Sequence, residues 1–156
     1  MAGIPSGPRT VGTYEPGKDA AERYPDWVIR HRDLRGIPEV MCLERKVILI
    51  DAAQGWPAKR SGLAHAVAHL DCGHVVIGGH LGSRQEVEAE SLAARRLITV
   101  PDLADAIRWC GQRWPSVARH LAVDERILAT RLDKLHPSER AQLSRELESY
   151  AIGATA

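Results

Sequence analysis

Phenylalanine is absent from this chain, and aromatic residues make up only 4% of its 156 residues. Hydrophobic residues still reach 44% and charged residues 26%, the balance of an ordinary globular protein rather than a disordered or fibrous one. A chain of this length can bury a sizeable core as one domain, and we expect its four tryptophans to pack in that core or at its rim.

An excess of charge of either sign is also missing. Lysine and arginine total 21 against 20 acidic residues, so the net charge of +1 gives no electrostatic reason to expect nucleic acid or an anionic membrane as the partner. A helix-turn-helix-like run over residues 117–135 offers a DNA-binding alternative through Arg119, Arg126 and Arg131. Because no basic stripe accompanies these arginines, packing or docking of a protein partner is the preferred interpretation of this run.

Cysteine is scarce, and long apolar runs are lacking. Cys42, Cys72 and Cys110 are an odd number at wide spacing, which excludes a disulfide framework and favours a reducing cytoplasm. No window approaches the roughly 18 apolar residues needed to span a bilayer, and the N-terminus lacks the apolar stretch of a signal peptide. We therefore expect a cytoplasmic protein that makes no contact with a membrane.

The pattern of apolar residues and helix breakers predicts an α+β fold that is mostly helical. Closely spaced glycines and prolines predict a flexible N-terminal arm over residues 1–23, and residues 24–150 read as a single domain with a helical C-terminal part. Short apolar runs at 27–31, 40–43 and 47–50, the last two forming a hairpin, predict a small antiparallel sheet.

The remaining helices follow from apolar periodicity and end signals. Gly73 is suited to end the first helix, residues 75–83 read as a loop, and Asp102 and Asp124 are candidate N-caps. The expected helices cover residues 58–70, 84–98, 102–110, 116–121, 124–135 and 137–150.

Two histidines stand four residues apart in the first of these helices, in the run His65-Ala66-Val67-Ala68-His69. Residues at i and i+4 lie one above the other on a helix, so both imidazoles can reach one cation. Their small and apolar neighbours suit a buried helix. A bare pair of this kind also occurs by accident, so the pair alone does not establish a site.

A catalytic zinc usually takes three protein ligands and keeps a fourth position for water. The carboxylate-rich run Glu86-Val-Glu88-Ala-Glu90 lies immediately downstream, and Glu86 can supply the third ligand. Glu88, Glu90, His74 and His80 are the alternatives for that role. The long HExxHxxGxxH pattern does not fit, because Cys72 and Val75 stand at the positions of its glycine and third histidine. A carboxylate ligand is therefore preferred.

Several further segments, in this order and spacing, resemble the ImmA/IrrE family of metallopeptidases, especially its short actinobacterial and phage-encoded members. The resemblance covers about residues 24 to 148. The segments that carry it are Tyr24-Pro-Asp-Trp27, Val47-Ile-Leu-Ile-Asp51, Ser61-Gly-Leu-Ala-His-Ala-Val-Ala-His-Leu70, Glu86-Val-Glu-Ala-Glu-Ser-Leu-Ala-Ala-Arg-Arg-Leu-Ile98, Asp102-Leu103, Ala106-Ile-Arg-Trp109, Leu121-Ala-Val-Asp124, Arg131-Leu132 and Leu135.

The resemblance implies a zincin-like fold and a zinc-dependent endopeptidase with His65, His69 and Glu86 as the Zn²⁺ ligands. Family members are often encoded in phages or mobile elements, where they cleave or inactivate a helix-turn-helix repressor. A protein substrate such as a repressor is therefore the expected partner.

The chain departs from the family motif at one position. In HExxH enzymes the residue after the first histidine is a glutamate that takes a proton from the attacking water and returns it to the leaving amine. Here that residue is Ala66, so we expect little or no turnover. Either Ala66 is an introduced Glu-to-Ala change, which we prefer because one substitution would complete the motif, or the chain is a natural non-catalytic pseudopeptidase that acts by binding its partner.

Four more residues are candidates for supporting roles. His74, together with Asp71 and Cys72, can hold a ligand imidazole in one tautomer, and His74 can also stabilise the oxyanion or hold substrate. The alternative interpretation of these three residues, which we prefer, is simply a helix end with a buried thiol. Trp56, just before the histidine helix, can grip substrate or simply pack.

Overall fold

A computed structural model describes residues 14–75 and 80–153, and over these residues the fold is α+β and mostly helical, as predicted. It contains seven helices and one three-stranded sheet within that part of the chain. In chain order the elements are α1 (Pro16–Arg23), β1 (Val28–Arg32), β2 (Glu39–Cys42), β3 (Val47–Asp51), α2 (Trp56–Asp71), α3 (His80–Leu97), α4 (Val100–Cys110), α5 (Trp114–His120), α6 (Glu125–Asp133) and α7 (Pro137–Gly153).

Helix α1 corrects the prediction of a flexible arm over residues 1–23. Pro16 stands at the first helical position, where its fixed φ favours the helix and its missing N–H is no loss. Pro16 and Ala20 are buried, and Arg23 binds Asp71 at the end of α2. A proline that begins a helix was thus mistaken for a helix breaker. Residues 1–13 of the predicted arm lie outside the described residues.

The sheet has the strand order β1-β3-β2, and its three strands are the predicted ones. Strands β2 and β3 form the predicted antiparallel hairpin, with Met41 opposite Ile48. Strand β1, however, pairs with β3 in parallel, from Val28 opposite Val47 to Arg32 opposite Asp51, so the prediction of an antiparallel sheet is wrong for this pair. The segment between β1 and β2 is long enough to cross the end of β3, where buried Asp51 accepts a hydrogen bond from Leu34 N.

Helix α2 lies between the sheet and the other helices. On its sheet side Ala66 packs with Ile48 and Ile50 in a small apolar cluster. On its other side Ala64 and Ala68 belong to the main helical core, together with Ala89 and Ala93 of α3. Because helix separation depends on side-chain size at the contact, these alanines let α2 and α3 pack closely.

The ends of several helices differ from the sequence-based prediction. Gly73 has φ +64° just after α2, and Asp124 caps α6 by accepting a hydrogen bond from Ile127 N, both as predicted. Helix α4 begins two residues before Asp102 and is capped by Thr99, so the prediction of Asp102 as N-cap is wrong. Helix α3 begins at residue 80, so the predicted loop is wrong over residues 80–83, and residues 76–79 lie outside the described part.

The helices of the described part are not membrane spans. None is both long and apolar enough to cross a bilayer.

Candidate metal centre

His65 and His69 lie one turn apart on α2, on the same face, with their ring centroids 4.6 Å apart. Both side chains are buried, at 4% and 5% exposure. The predicted common face is therefore confirmed. Burying two imidazoles together costs free energy unless each finds a partner for its ring nitrogens.

Glu86, in the first half of α3, is the carboxylate that reaches both rings. Its Oε2 lies 3.3 Å from His65 Nε2, and its Oε1 lies 3.2 Å from His69 Nε2. One ligand atom from each of the three residues lies within 4.8 Å of the others. The structure thus brings together the three residues that the sequence analysis named as zinc ligands.

The alternative third ligands are placed elsewhere. Glu90 accepts a hydrogen bond from Thr130 and pairs with Arg126, and Glu88 contacts His74 rather than either histidine of α2. The side chain of His80 lies outside the described residues.

Glu39, at the start of β2, holds the outer nitrogen of His65. Its Oε1 lies 2.8 Å from His65 Nδ1, so an ionised Glu39 accepts a hydrogen bond from that nitrogen and leaves the lone pair on Nε2. His65 Nε2 is buried and has no hydrogen-bond partner in the structure. In this tautomer a ring lone pair faces a carboxylate oxygen, and only a cation or a proton between the two atoms makes that contact favourable.

Sequence reasoning missed Glu39, and the signal for it lies in α2. Gly62 sits inside this helix three residues before His65, where glycine costs about 1 kcal/mol relative to alanine. A Cβ at this position would lie 3.0 Å from Glu39 Oε2, so glycine leaves the room in which Glu39 approaches His65. A glycine inside a helix, one turn before a candidate ligand, is a signal of such a close approach.

His69 is held by a second chain of contacts. Its Nδ1 lies 3.1 Å from Nδ1 of buried His74, and His74 Nε2 lies 3.2 Å from Glu88 Oε2. The contact between His69 and His74 is the one expected if His74 fixes the tautomer of a ligand histidine. A role of His74 in binding an oxyanion or substrate stays a prediction. Burial lowers the pKa of His69, and the neighbouring His65 and His74 lower it further, while Glu86 opposes them. The lowered pKa favours the neutral imidazole that binds metals.

Asp71, the other acidic residue near this helix end, does not belong to the cluster. Its carboxylate accepts hydrogen bonds from Arg23, Tyr24 and Arg96. These donors lower the pKa of Asp71 to about 2 despite burial, which opposes them. Asp71 therefore joins α1, α2 and α3 and does not support a histidine ligand.

The cluster fits a zinc ion by the chemistry of its donors. Two imidazole nitrogens and one carboxylate are a common ligand set for a catalytic zinc with an open fourth position. Both histidines have an outer partner for Nδ1, which presents Nε2 to the metal. The unpartnered His65 Nε2 is the atom that a metal ion would satisfy.

Ala66, the position of the missing base, faces the sheet. Its side chain is 2% exposed and packs with Ile48 and Ile50. Three nearby carboxylates are engaged elsewhere: Glu39 lies on the Nδ1 side of His65, Glu88 contacts His74, and Asp71 is held by arginines.

Trp56 begins α2 and is 69% exposed. It lies nine residues before His65, about 2.5 turns, and therefore on the opposite side of the helix. There it lines a cavity of about 610 Å³ together with Tyr14, Ile29 and Leu63. The structure does not bring Trp56 to the histidine cluster, and its contact with substrate stays a prediction.

The arginines of the DNA-binding alternative are partly engaged within the fold. Arg131 is buried at 2% exposure, donates to Ile98 O and pairs with Glu139. Arg126 pairs with Glu90. Arg131 is therefore not available to a DNA backbone.

Comparison with known proteins adds no relative to this picture: the chain matches no family model, and no curated protein or solved structure is significantly similar to it. The likeness to the ImmA/IrrE family accordingly stays a prediction from the motifs.

Proposed function

We propose that this chain is a zinc protein of the ImmA/IrrE metallopeptidase type that acts on a protein partner, such as a phage or mobile-element repressor, and lacks its general base. His65, His69 and Glu86 are its zinc ligands. The proposal combines the sequence resemblance with the geometry of the buried histidine pair.

One observation carries the metal part of the proposal. His65 Nε2 is buried without a hydrogen-bond partner, and Glu39 on the opposite ring nitrogen leaves it with a lone pair that faces Glu86 Oε2. A divalent cation among the three ligands would turn this unfavourable contact of two electron-rich atoms into two bonds. Zinc is the preferred ion because the donors are nitrogen and carboxylate oxygen.

Zinc at this position would polarise a peptide carbonyl and lower the pKa of a bound water, as in other zinc hydrolases. Glu39 and His74 orient the two ligand rings, both of which are buried. The methyl group of Ala66 cannot accept a proton, and loss of a positioned base costs about 10²- to 10⁴-fold in rate. The chain therefore has the fold and zinc site of a peptidase and acts by binding its partner, with little or no cleavage.

A natural pseudopeptidase is the second candidate, and the packing of Ala66 favours it. The alanine methyl is enclosed by the sheet, so this position is filled without a carboxylate. In that case the zinc centre serves structure or partner binding, and regulation occurs by capture of the partner.

Elemental analysis of the purified chain tests the metal centre. We expect His65→Ala and Glu86→Gln each to carry about one zinc fewer per chain than the unmodified protein. Glu148→Gln, which removes an exposed carboxylate of α7, is the matched control and should retain the metal. Metal content that is unchanged in both ligand variants would refute the assignment of the ligands.

Introducing the missing base separates the two candidates. Ala66→Glu should restore cleavage of a co-encoded repressor if the scaffold is that of an inactivated enzyme. Zinc-loaded Ala66→Glu protein that binds the repressor but leaves it intact would instead favour the pseudopeptidase. Circular dichroism of the variant checks that the larger side chain is accommodated.

A further inference from the structure

A second set of metal-binding side chains lies beside the first. Cys72, His74 and Glu88 each offer one ligand atom, and these atoms all lie within 4.8 Å of one another. Cys72 directly follows α2, and Gly73, with φ +64°, turns the chain so that His74 N donates to His69 O at 3.0 Å. The backbone thus fixes the thiol and the imidazole relative to each other, and Glu88 of α3 closes the set.

We propose that Cys72, His74 and Glu88 form a second cation site, for a thiophilic divalent ion such as Zn²⁺. A thiolate, an imidazole and a carboxylate are all zinc ligands, and the thiolate selects against Mg²⁺ and Ca²⁺, which prefer oxygen. His74 is 7% exposed, whereas Glu88 is mostly exposed. An ion can therefore enter from the solvent side and keep water as its fourth ligand.

The two sites share the contact between His69 and His74. When His69 Nε2 binds a metal, its Nδ1–H donates to His74 Nδ1, and the proton of His74 lies on Nε2, towards Glu88. Glu88 lies on the Nε2 side of His74, so a metal held between them would bind the lone pair of Nε2, and the proton of His74 would move to Nδ1. Two N–H groups would then face each other at 3.1 Å, and the hydrogen bond is lost.

Occupation of the two sites is therefore antagonistic. Occupation of one site costs the other about one hydrogen bond, which should weaken its affinity for metal by roughly 2- to 12-fold. The second site itself does not depend on a metal at the first, but this antagonism rests on the proposed function. An ion at the second site would weaken the first, as expected of a regulatory metal.

Titration with Co²⁺ in the presence of a phosphine reductant tests the site. Thiolate coordination gives Co²⁺ a charge-transfer absorption in the near ultraviolet, which histidine and carboxylate ligands do not give. We expect this absorption in the unmodified chain, its loss in Cys72→Ser and in His74→Gln, and its retention in Cys110→Ser, which removes another partly buried free thiol. Cobalt binding without this absorption, or absorption that persists in Cys72→Ser, would overturn the proposal.

The His65→Ala variant tests the antagonism and separates the two proposals. With the first site disabled, the thiolate absorption should appear with the first equivalent of Co²⁺ and with roughly 2- to 12-fold higher affinity than in the unmodified chain. Equal affinity in the two chains would overturn the antagonism. If both chains bind a single Co²⁺ through Cys72, the second site stands while the metal centre of the proposed function fails.

Discussion

Glu86 of α3 and Asp71 of α2 are carboxylates whose surroundings are opposite. Asp71 is surrounded by donors, with Arg23, Arg96 and Tyr24 all binding it. Glu86 faces two ring nitrogens of buried histidines, and one of these nitrogens has no hydrogen-bond partner.

The difference separates a structural carboxylate from a proposed ligand. Permanent cations satisfy Asp71 within the fold, so its negative charge contributes to stability at neutral pH. Glu86 and its two imidazoles have no permanent cation among them, so they leave room for one supplied from solution. Buried polar groups that the fold itself does not satisfy are thus the better guide to a binding site.

Removal of metal should have the largest effect on stability. If zinc binds only the folded chain, a free concentration about 1,000-fold above the Kd adds about 4 kcal/mol to the free energy of unfolding. Urea denaturation with zinc and with a chelator would measure this difference. Glu86→Gln should reduce this difference by the contribution of the first site, and a difference of equal size in Glu86→Gln would show that the stabilising ion binds elsewhere.

Asp71→Asn should give the converse result. Loss of the charge leaves Arg96 without its carboxylate and Arg23 with Asp19 alone, which should lower the free energy of unfolding by about 2 kcal/mol, with or without zinc. Asp133→Asn is the control, because Asp133 is 74% exposed and its loss should change little. Equal destabilisation by both variants would remove the contrast between Asp71 and Glu86.

Glu39→Gln should weaken the metal centre without removing it. Partners that orient a ligand histidine typically contribute 10- to 100-fold in metal affinity, and we expect about 10-fold here because a glutamine can still accept a hydrogen bond from His65 Nδ1. Competition with a chromophoric zinc chelator gives the Kd. An unchanged Kd would mean that Glu39 fills space beside Gly62 and does not orient the ring.

Glu139 is, like Asp71, a carboxylate held by an arginine, and its pair with Arg131 makes the stability of the fold depend on pH. Hydrogen bonds from Arg131 lower its pKa from 4.5 to about 2, so its contribution to stability is complete above pH 4.5 and is lost as the pH falls towards 2. The amount should be about 1 kcal/mol, because 28% of the Glu139 side chain is exposed to solvent. Urea unfolding at pH 5 and pH 3 should show a smaller difference in Glu139→Gln than in the unmodified chain.

Local patterns predicted a large part of the fold. The hairpin, the histidine helix and its end at Gly73 follow from apolar periodicity and from the conformational freedom of glycine, which act over a few residues. The same reasoning failed at Pro16, because proline either begins a helix or ends one, and only the burial of α1 against α2 decides between them. It also failed for β1, since a strand pattern does not reveal which neighbour the strand will pair with.

The spacing of His65 and His69 is enough to put both on one face, because four residues make about one turn of a helix. The sequence also shows an alanine where the HExxH motif has a glutamate. Which carboxylates meet these rings follows from the packing of the fold, which brings Glu39 from 26 residues before His65 and places Glu86 rather than Glu88 or Glu90 against them. Such contacts depend on how separate elements pack, and the spacing along the chain does not contain that information.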